Sequence, residues 1–248
     1  MKGIERRVAC RSFFLETLWN YEKFQNVGFV YCIHPVLERL YPDPEQRKEA
    51  VQRHLEKVNT HPLMGPFLVG VAARLEHQKG RSAARSYRVP LMAALASHGD
   101  RIFWGHVKPL AAVAGLLGCL YFLDSVLGSV IFLLVYNVPH LFVRGIGFGK
   151  GWEKGLGALA EFHSPRVEML IRLMSRCIAI GAGVATGLLV LRLGSLVHGT
   201  EAGSMGPWLS GIMVIVAAVG FGLVRAGLAV ELAIGAVAAS TAVAVLWL

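Results

Sequence analysis

The sequence predicts an all-α membrane protein in which N-terminal interfacial and re-entrant helices precede about five transmembrane segments. Three observations carry that expectation. Hydrophobic residues make up 54% of the 248-residue chain and charged residues only 17%, against about 25% charged in soluble domains. The apolar excess comes with 28 glycines, a composition suited to helices whose backbones approach closely in lipid. The cations are segregated: 16 of the 25 Lys and Arg fall in residues 1–101 and six more in 144–176, outside the apolar runs. The formal net charge of +9 therefore fits the positive-inside rule better than a nucleic-acid face, and no RNA- or DNA-binding motif accompanies it.

The apolar spans are drawn at 107–123, 125–143, 177–193, 208–224 and 228–248. Several fall short of the ~20 residues that cross a hydrocarbon core, so flanking residues must help or segments must be tilted or broken. Segment 144–176 carries Arg144, Lys150, Lys154, Arg166, Arg172 and Arg176 and is expected in the cytoplasm. Loop 194–207 has no Lys or Arg and is expected outside. Alternation then places the N-terminus in the cytoplasm and the C-terminus outside, with Arg192 as the one exception. The start, MKGIERRVACRSFF, is too charged for a secretory signal peptide, so the spans themselves are expected to direct insertion.

The chain divides at residue 106, into a cytoplasmic, interfacial and re-entrant region (1–106) and a transmembrane region (107–248). In RSFFLETLWNYEKFQ, residues Phe14, Leu18 and Tyr21 share one helical face behind Arg6, Arg7 and Arg11. That pattern suits either a bilayer interface or packing on protein. A second helix starts at YPDP, where Asp43 caps and Pro44 takes the first position, with Val51, Leu55 and Val58 as its apolar face. The apolar stretch Pro62 to Leu75, 14 residues, is too short to span and is expected to be a re-entrant or buried broken helix.

Signatures of soluble catalysis are absent: there is no HExxH, Walker P-loop or GxSxG. GIGFGKG (145–151) lacks dinucleotide-binding spacing and is read as a flexible cytoplasmic bend. Four scattered cysteines and nine histidines show no ligand spacing, so neither a metal nor another cofactor is expected. What remains is a set of polar residues beside short apolar stretches: Asn59, Thr60, Glu76, Gln78, Asp100 and Trp104. Carboxylates and amides bind sugar hydroxyls, and an aromatic face covers a sugar's C–H side. Polar groups at membrane depth are costly unless paired, which makes them functional candidates. Each has a plainer reading. Asp100 would cap a helix beginning at Ile102, Trp104 would anchor at the interface, and Glu76 and Gln78 would be solvated.

The successive motifs LWNYEKFQNVGFVY, ERLYPDPEQRKEAVQRHLEKVNTHP, LEHQ and GDRIFWGHVKPL resemble, in the same order, those of subunit IID of the mannose/fructose/sorbose family of sugar phosphotransferase permeases. The likeness covers nearly the whole chain. It implies a bacterial inner-membrane protein that pairs with a membrane subunit IIC as a trimer of heterodimers. Soluble IIA and IIB subunits would pass a phosphoryl group from phosphoenolpyruvate to a hexose or related sugar, and no phosphorylated histidine is expected in IID itself. By this resemblance Asn59, Glu76, Gln78, Asp100 and Trp104 line or support the sugar path, with Asn59, Glu76 and Asp100 as hydroxyl partners and Trp104 as a packing or stacking face. Two departures stand out: Arg101 occupies the family's usual proline position, and the approach VPLMAALASHGD is poor in glycine. They keep open a rival reading, an IID-like regulatory or scaffolding subunit with little transport.

Overall fold

The structure is a computed structural model that describes residues 3–79 and 88–198. The spans drawn at 208–224 and 228–248 lie outside the described residues. Among those residues every regular element is helical, and β pairing is limited to isolated bridges at Asn20–Phe24 and Phe24–Val58. In chain order the helices are α1 (Ile4–Arg11), α2 (Asn26–Leu40), α3 (Pro44–His54), α4 (Gly65–Lys79), α5 (Arg88–Gly99), α6 (Lys108–Phe122), α7 (Ser125–Lys154), α8 (Leu159–Phe162) and α9 (Pro165–His198). A π-helical segment, Asp100–Val107, runs between α5 and α6. The chain forms two compact units, one of Met1–Ile102 with Val138–Val167, the other of Phe103–Asn137 with Glu168–Leu248.

Among the described residues three stretches are long and apolar enough to cross a membrane: Val89–Phe122, Ser125–Gly157 and Pro165–Leu189. All three reach beyond the boundaries expected from hydropathy. The first does not break at the Gly-Asp pair, because the π segment carries the polar residues inside a continuous helix. The expected loop 144–176 is largely helical, and GIGFGKG is not a bend but part of α7. Two of its four glycines, Gly147 and Gly151, stand in close contact with α4. A Cβ on Gly151 would fall 3.1 Å from the Cα of Gly70 and 2.9 Å from the nitrogen of Val71, and it would collide with the Phe67 carbonyl. A Cβ on Gly70 would meet the Trp152 nitrogen at 2.9 Å. α4 and α7 therefore touch backbone to backbone, which only small residues permit.

In the first unit α4 is the centre. Phe67, Leu68, Val69, Val71 and Ala73 are buried, so the stretch from Pro62 to Leu75 is a buried helix preceded by a 3-10 turn at Pro62–Met64. Its far end is tied to α7, where Arg74 donates to the Trp152 carbonyl at 2.8 Å and to that of Glu153. α3 starts as expected: the Asp43 side chain accepts from Gln46 N–H at 3.0 Å and Pro44 follows it. Its buried positions are Ala50 and His54, whereas Leu55 and Val58 lie beyond its end. The predicted amphipathic helix through Phe14, Leu18 and Tyr21 does not form. α1 stops at Arg11, its buried face is Ile4 and Val8, and turns follow. Phe14, Leu18 and Tyr21 are all exposed, Tyr21 at 90%.

Among the described residues of the second unit several polar groups of the membrane helices find partners within it. Asp124 caps α7 by accepting from Val126 N–H at 2.8 Å, and Ser129 and Asn137 bond carbonyls one turn back at 2.8 Å each, as lipid surroundings demand. His106 Nε2 lies 3.1 Å from Ser175 Oγ on α9. Arg192, the exception to the charge rule, is held within the unit, where its guanidinium donates to the Leu120 carbonyl in the last turn of α6.

The α4–α7 contact generates the first prediction. Gly151→Leu should lower the thermal unfolding midpoint of the detergent-solubilised protein by several degrees, because overpacking costs roughly 1–3 kcal/mol. Gly145→Ala on the same helix, where a Cβ meets nothing within 4 Å, should leave it unchanged.

Candidate functional site

The segment Asn59–Thr60–His61 leaves the end of α3 without regular structure, and its backbone groups need partners from elsewhere. Gln25, just ahead of α2, supplies them. Its Nε2 donates to the Thr60 carbonyl at 2.7 Å and its Oε1 accepts from Thr60 N–H at 2.9 Å. Its own N–H donates to the Val58 carbonyl at 2.9 Å. Asn26 reinforces the same strip by donating to the Leu55 carbonyl at 2.9 Å. Thus held, Thr60 and His61 are buried while Asn59 stays exposed.

His61 joins this segment to the end of α5. A Cβ on Gly99 would collide with the His61 ring, so the glycine of the Gly-Asp pair is needed for close approach. Asp100 follows, exposed, and its charge acts on His61. Leu63 N–H donates to His61 Nδ1 at 3.2 Å, which places the ring proton on Nε2. Burial pushes the His61 pKa down to about 4 against the opposing pull of Asp100, and Arg144 and His140 push it the same way as burial. His61 is thus neutral near pH 7. Arg144 is itself buried on α7; it donates to His140 Nε2 at 2.8 Å and to Ser12 Oγ at 3.0 Å, and sits 4.5 Å from the Phe13 ring centroid. Asp100 does not cap a helix beginning at Ile102, because helix runs through it without a break.

Glu76 belongs to a different cluster. Only 3% of it is exposed, which rules out the solvated reading. Its Oε1 accepts from Tyr41 Oη at 2.7 Å and from Arg53 Nη2 at 2.5 Å, and His54 Nε2 lies 3.4 Å from Oε2. Burial pushes the carboxyl pKa up, but hydrogen bonds from His54, Tyr41 and Arg53 outweigh it and hold the value down to about 2. Gln78, in the last turn of α4, is exposed. Trp104 belongs to the second unit, 48% exposed, with Lys108 Nζ 4.3 Å from its ring centroid.

The first unit therefore brings together the Asn59–His61 segment and the Gly99–Asp100 pair, while Glu76 bonds Tyr41 and Arg53. Exposed amide and carboxylate oxygens beside a neutral buried imidazole can exchange hydrogen bonds with hydroxyl groups. Among the described residues no group of three or more His, Cys, Asp or Glu side chains is placed to hold a metal ion. Sequence reasoning missed Gln25, Tyr41, Arg53, His54 and His61, which act through partners 22 or more positions away. The one usable signal was the unbroken RHLE…NTHP spacing, which puts Arg53, His54 and His61 beside residues already singled out.

Comparison with known proteins gives the family. Residues 2–192 match the model of the mannose/fructose/sorbose family IID component of the phosphotransferase system, and the chain belongs to that family. It is 37% identical over 172 residues to the mannose-specific EIID component of Escherichia coli K12, covering 66% of this chain and 60% of that protein. It is 32% identical over 166 residues to the fructose permease IID component of Bacillus subtilis 168, covering 64% and 60%. The matched region thus spans about three fifths of these relatives' length. Among solved structures it resembles the cryoEM structure of the mannose transporter ManYZ in complex with a microcin, with a TM-score of 0.58 and 31% identity over 75% of this chain and 70% of that one. The protein is a membrane protein of a transporter family.

The two titrating groups predict an acid limb with two parts. His61 has its folded pKa below its ordinary 6.5, so its neutral form costs stability as pH falls from 6.5 towards 4. Glu76 has its folded pKa below its ordinary 4.5, so its contribution is complete above about 4.5 and is lost as pH falls through about 2. Unfolding measured against pH should show decline beginning below 6.5, and His61→Gln should reduce the upper part while leaving the lower.

Proposed function

We propose that this chain is the membrane subunit IID of a phosphoenolpyruvate-dependent sugar permease and that Asn59 and Asp100 offer hydroxyl partners to a hexose in a path formed with a IIC subunit. One observation carries the reading: in a member of this family, two motifs far apart in the sequence meet at the His61–Gly99 contact, with Asn59 two residues before His61 and Asp100 next to Gly99 both exposed. Gln78 in the first unit is a further candidate polar partner, and Trp104 in the second unit is by itself a candidate ring face. Glu76, bonded to Tyr41 and Arg53, supports the path by fixing α4 against α2 and α3. The phosphoryl group would come from soluble IIA and IIB subunits, with IIC and IID assembled as a trimer of heterodimers.

The membrane arrangement completes the proposal: five spans in a bacterial inner membrane, the N-terminus cytoplasmic and the C-terminus outside, with a transmembrane region beginning near residue 107. The turns holding Phe14, Leu18, Trp19 and Tyr21 would rest at the bilayer interface. Phe13 lies 6.0 Å from the His140 ring, where α7 passes from apolar sequence to Arg144, and exposed Trp and Tyr favour that depth. Arg101, exposed beside Asp100, favours the rival regulatory or scaffolding reading, because a cation there can compete with a sugar for the carboxylate.

The test is binding of labelled mannose, glucose, fructose and amino sugars to the chain co-purified with its IIC partner. Asp100→Asn should weaken binding of the preferred sugar roughly tenfold or more, as loss of a charged hydrogen bond does, without dissociating the complex. A stable complex that binds none of these sugars would select the regulatory reading. Glu76→Gln should instead lower the unfolding midpoint.

A further inference from the structure

We propose that Gln25 is a positioning residue of the sugar site, setting affinity by holding the Thr60 peptide; the inference rests on the proposed role of Asn59 and Asp100. Four observations carry it. Gln25 is 3% exposed, so its carboxamide is oriented by protein alone. It grips both polar groups of one residue, donating to the Thr60 carbonyl and accepting from Thr60 N–H, as a neighbouring β-strand would. The Thr60 hydroxyl is buried and has no hydrogen-bond partner among the described residues, so the side chain adds no polar hold of its own. The orientation of Gln25 is fixed in turn by Glu16, whose Oε1 accepts from the same Nε2 at 2.5 Å. That acceptor makes the assignment of amide nitrogen and oxygen unambiguous.

The consequence reaches both candidate ligands. Asn59 precedes the clamped residue and His61 follows it, and His61 is the group that Gly99 packs against. A peptide free to rotate at Thr60 would move the Asn59 amide and the His61 ring together, and with the ring the seat of the Asp100 turn. Binding energy would then be spent on ordering the segment, which a preorganised site avoids. Gln25 itself touches no sugar.

The exchange Glu16→Gln with Gln25→Glu separates the clamp from its support. The amide then at position 16 can donate to the carboxylate then at position 25, and that carboxylate can still accept from Thr60 N–H. It has no proton for the Thr60 carbonyl, so only that bond is lost and two oxygens face each other. Gln25→Ala removes every side-chain bond. Hexose binding, thermal unfolding and amide exchange over residues 58–64 are measured for the wild-type and variant chains, each co-purified with the IIC partner. Both variants should lower the unfolding midpoint, because the buried Thr60 carbonyl loses its donor; well below either midpoint the exchanged pair should weaken hexose binding about tenfold and speed exchange over 58–64 while exchange elsewhere stays at the wild-type rate, and Gln25→Ala should weaken binding further. Unchanged binding in both variants of a complex that binds hexose would overturn the inference and leave the proposed function standing. Loss of affinity accompanied by faster exchange throughout the chain at that temperature would assign Gln25 to stability and overturn it too. Absence of hexose binding by the wild-type complex would overturn the function on which it rests.

Discussion

Two helices can touch backbone to backbone only where neither carries a side chain, and the meeting of α4 with α7 at Gly70 and Gly151 places most of the first unit. α4 is buried along most of its length, so its register against α7 decides where both of its ends lie. One end follows directly from His61 and the 3-10 turn at Pro62–Met64. The other carries Arg74, which bonds the last carbonyls of α7, and Glu76, which bonds Tyr41 and Arg53. Arg144, earlier on α7, holds Ser12 and so draws the N-terminal segment to the same helix.

Buried polar groups divide by whether their valences are met inside the chain. Glu76 is buried, ionised and bonded to groups from α2 and α3, which is how a carboxylate is kept in a dry interior. Such a group resists being borrowed by a ligand, because the sugar would have to replace hydrogen bonds from a guanidinium and a phenol. Asn59 and Asp100 are exposed while their backbones are held, by Gln25 at the adjacent Thr60 and by the His61–Gly99 contact. Rigid support beneath exposed acceptors is the arrangement that lets binding energy appear as affinity.

The helical membrane character was legible because composition and charge segregation report on solvent, and the Asp43–Pro44 start was legible because capping is local. The π segment was not: its residues are those of an interrupted helix, and only the wider coil that carries Asp100 through without a cap distinguishes the two. GIGFGKG misled for a related reason, since glycine serves bends and close approach alike and the partner, Gly70, lies 81 positions from Gly151. The N-terminal aromatic run satisfied helical periodicity, yet Leu15 rather than Phe14 or Leu18 is the residue that turns inward. Within the site, Asp100 and Asn59 stood out by residue type. The clamp on Thr60 did not, because a glutamine 35 positions away leaves no pattern in the sequence.

The separation of an exposed pair from a buried, occupied carboxylate is tested most directly by a cryoEM structure of the IIC-bound complex with its preferred hexose. Sugar oxygens are expected within about 2.7–3.2 Å of both Asn59 and Asp100, with Glu76 still bonded to Tyr41 and Arg53. A sugar seated away from Asn59 and Asp100, or one held by Glu76 after its partners have let go, would contradict that separation.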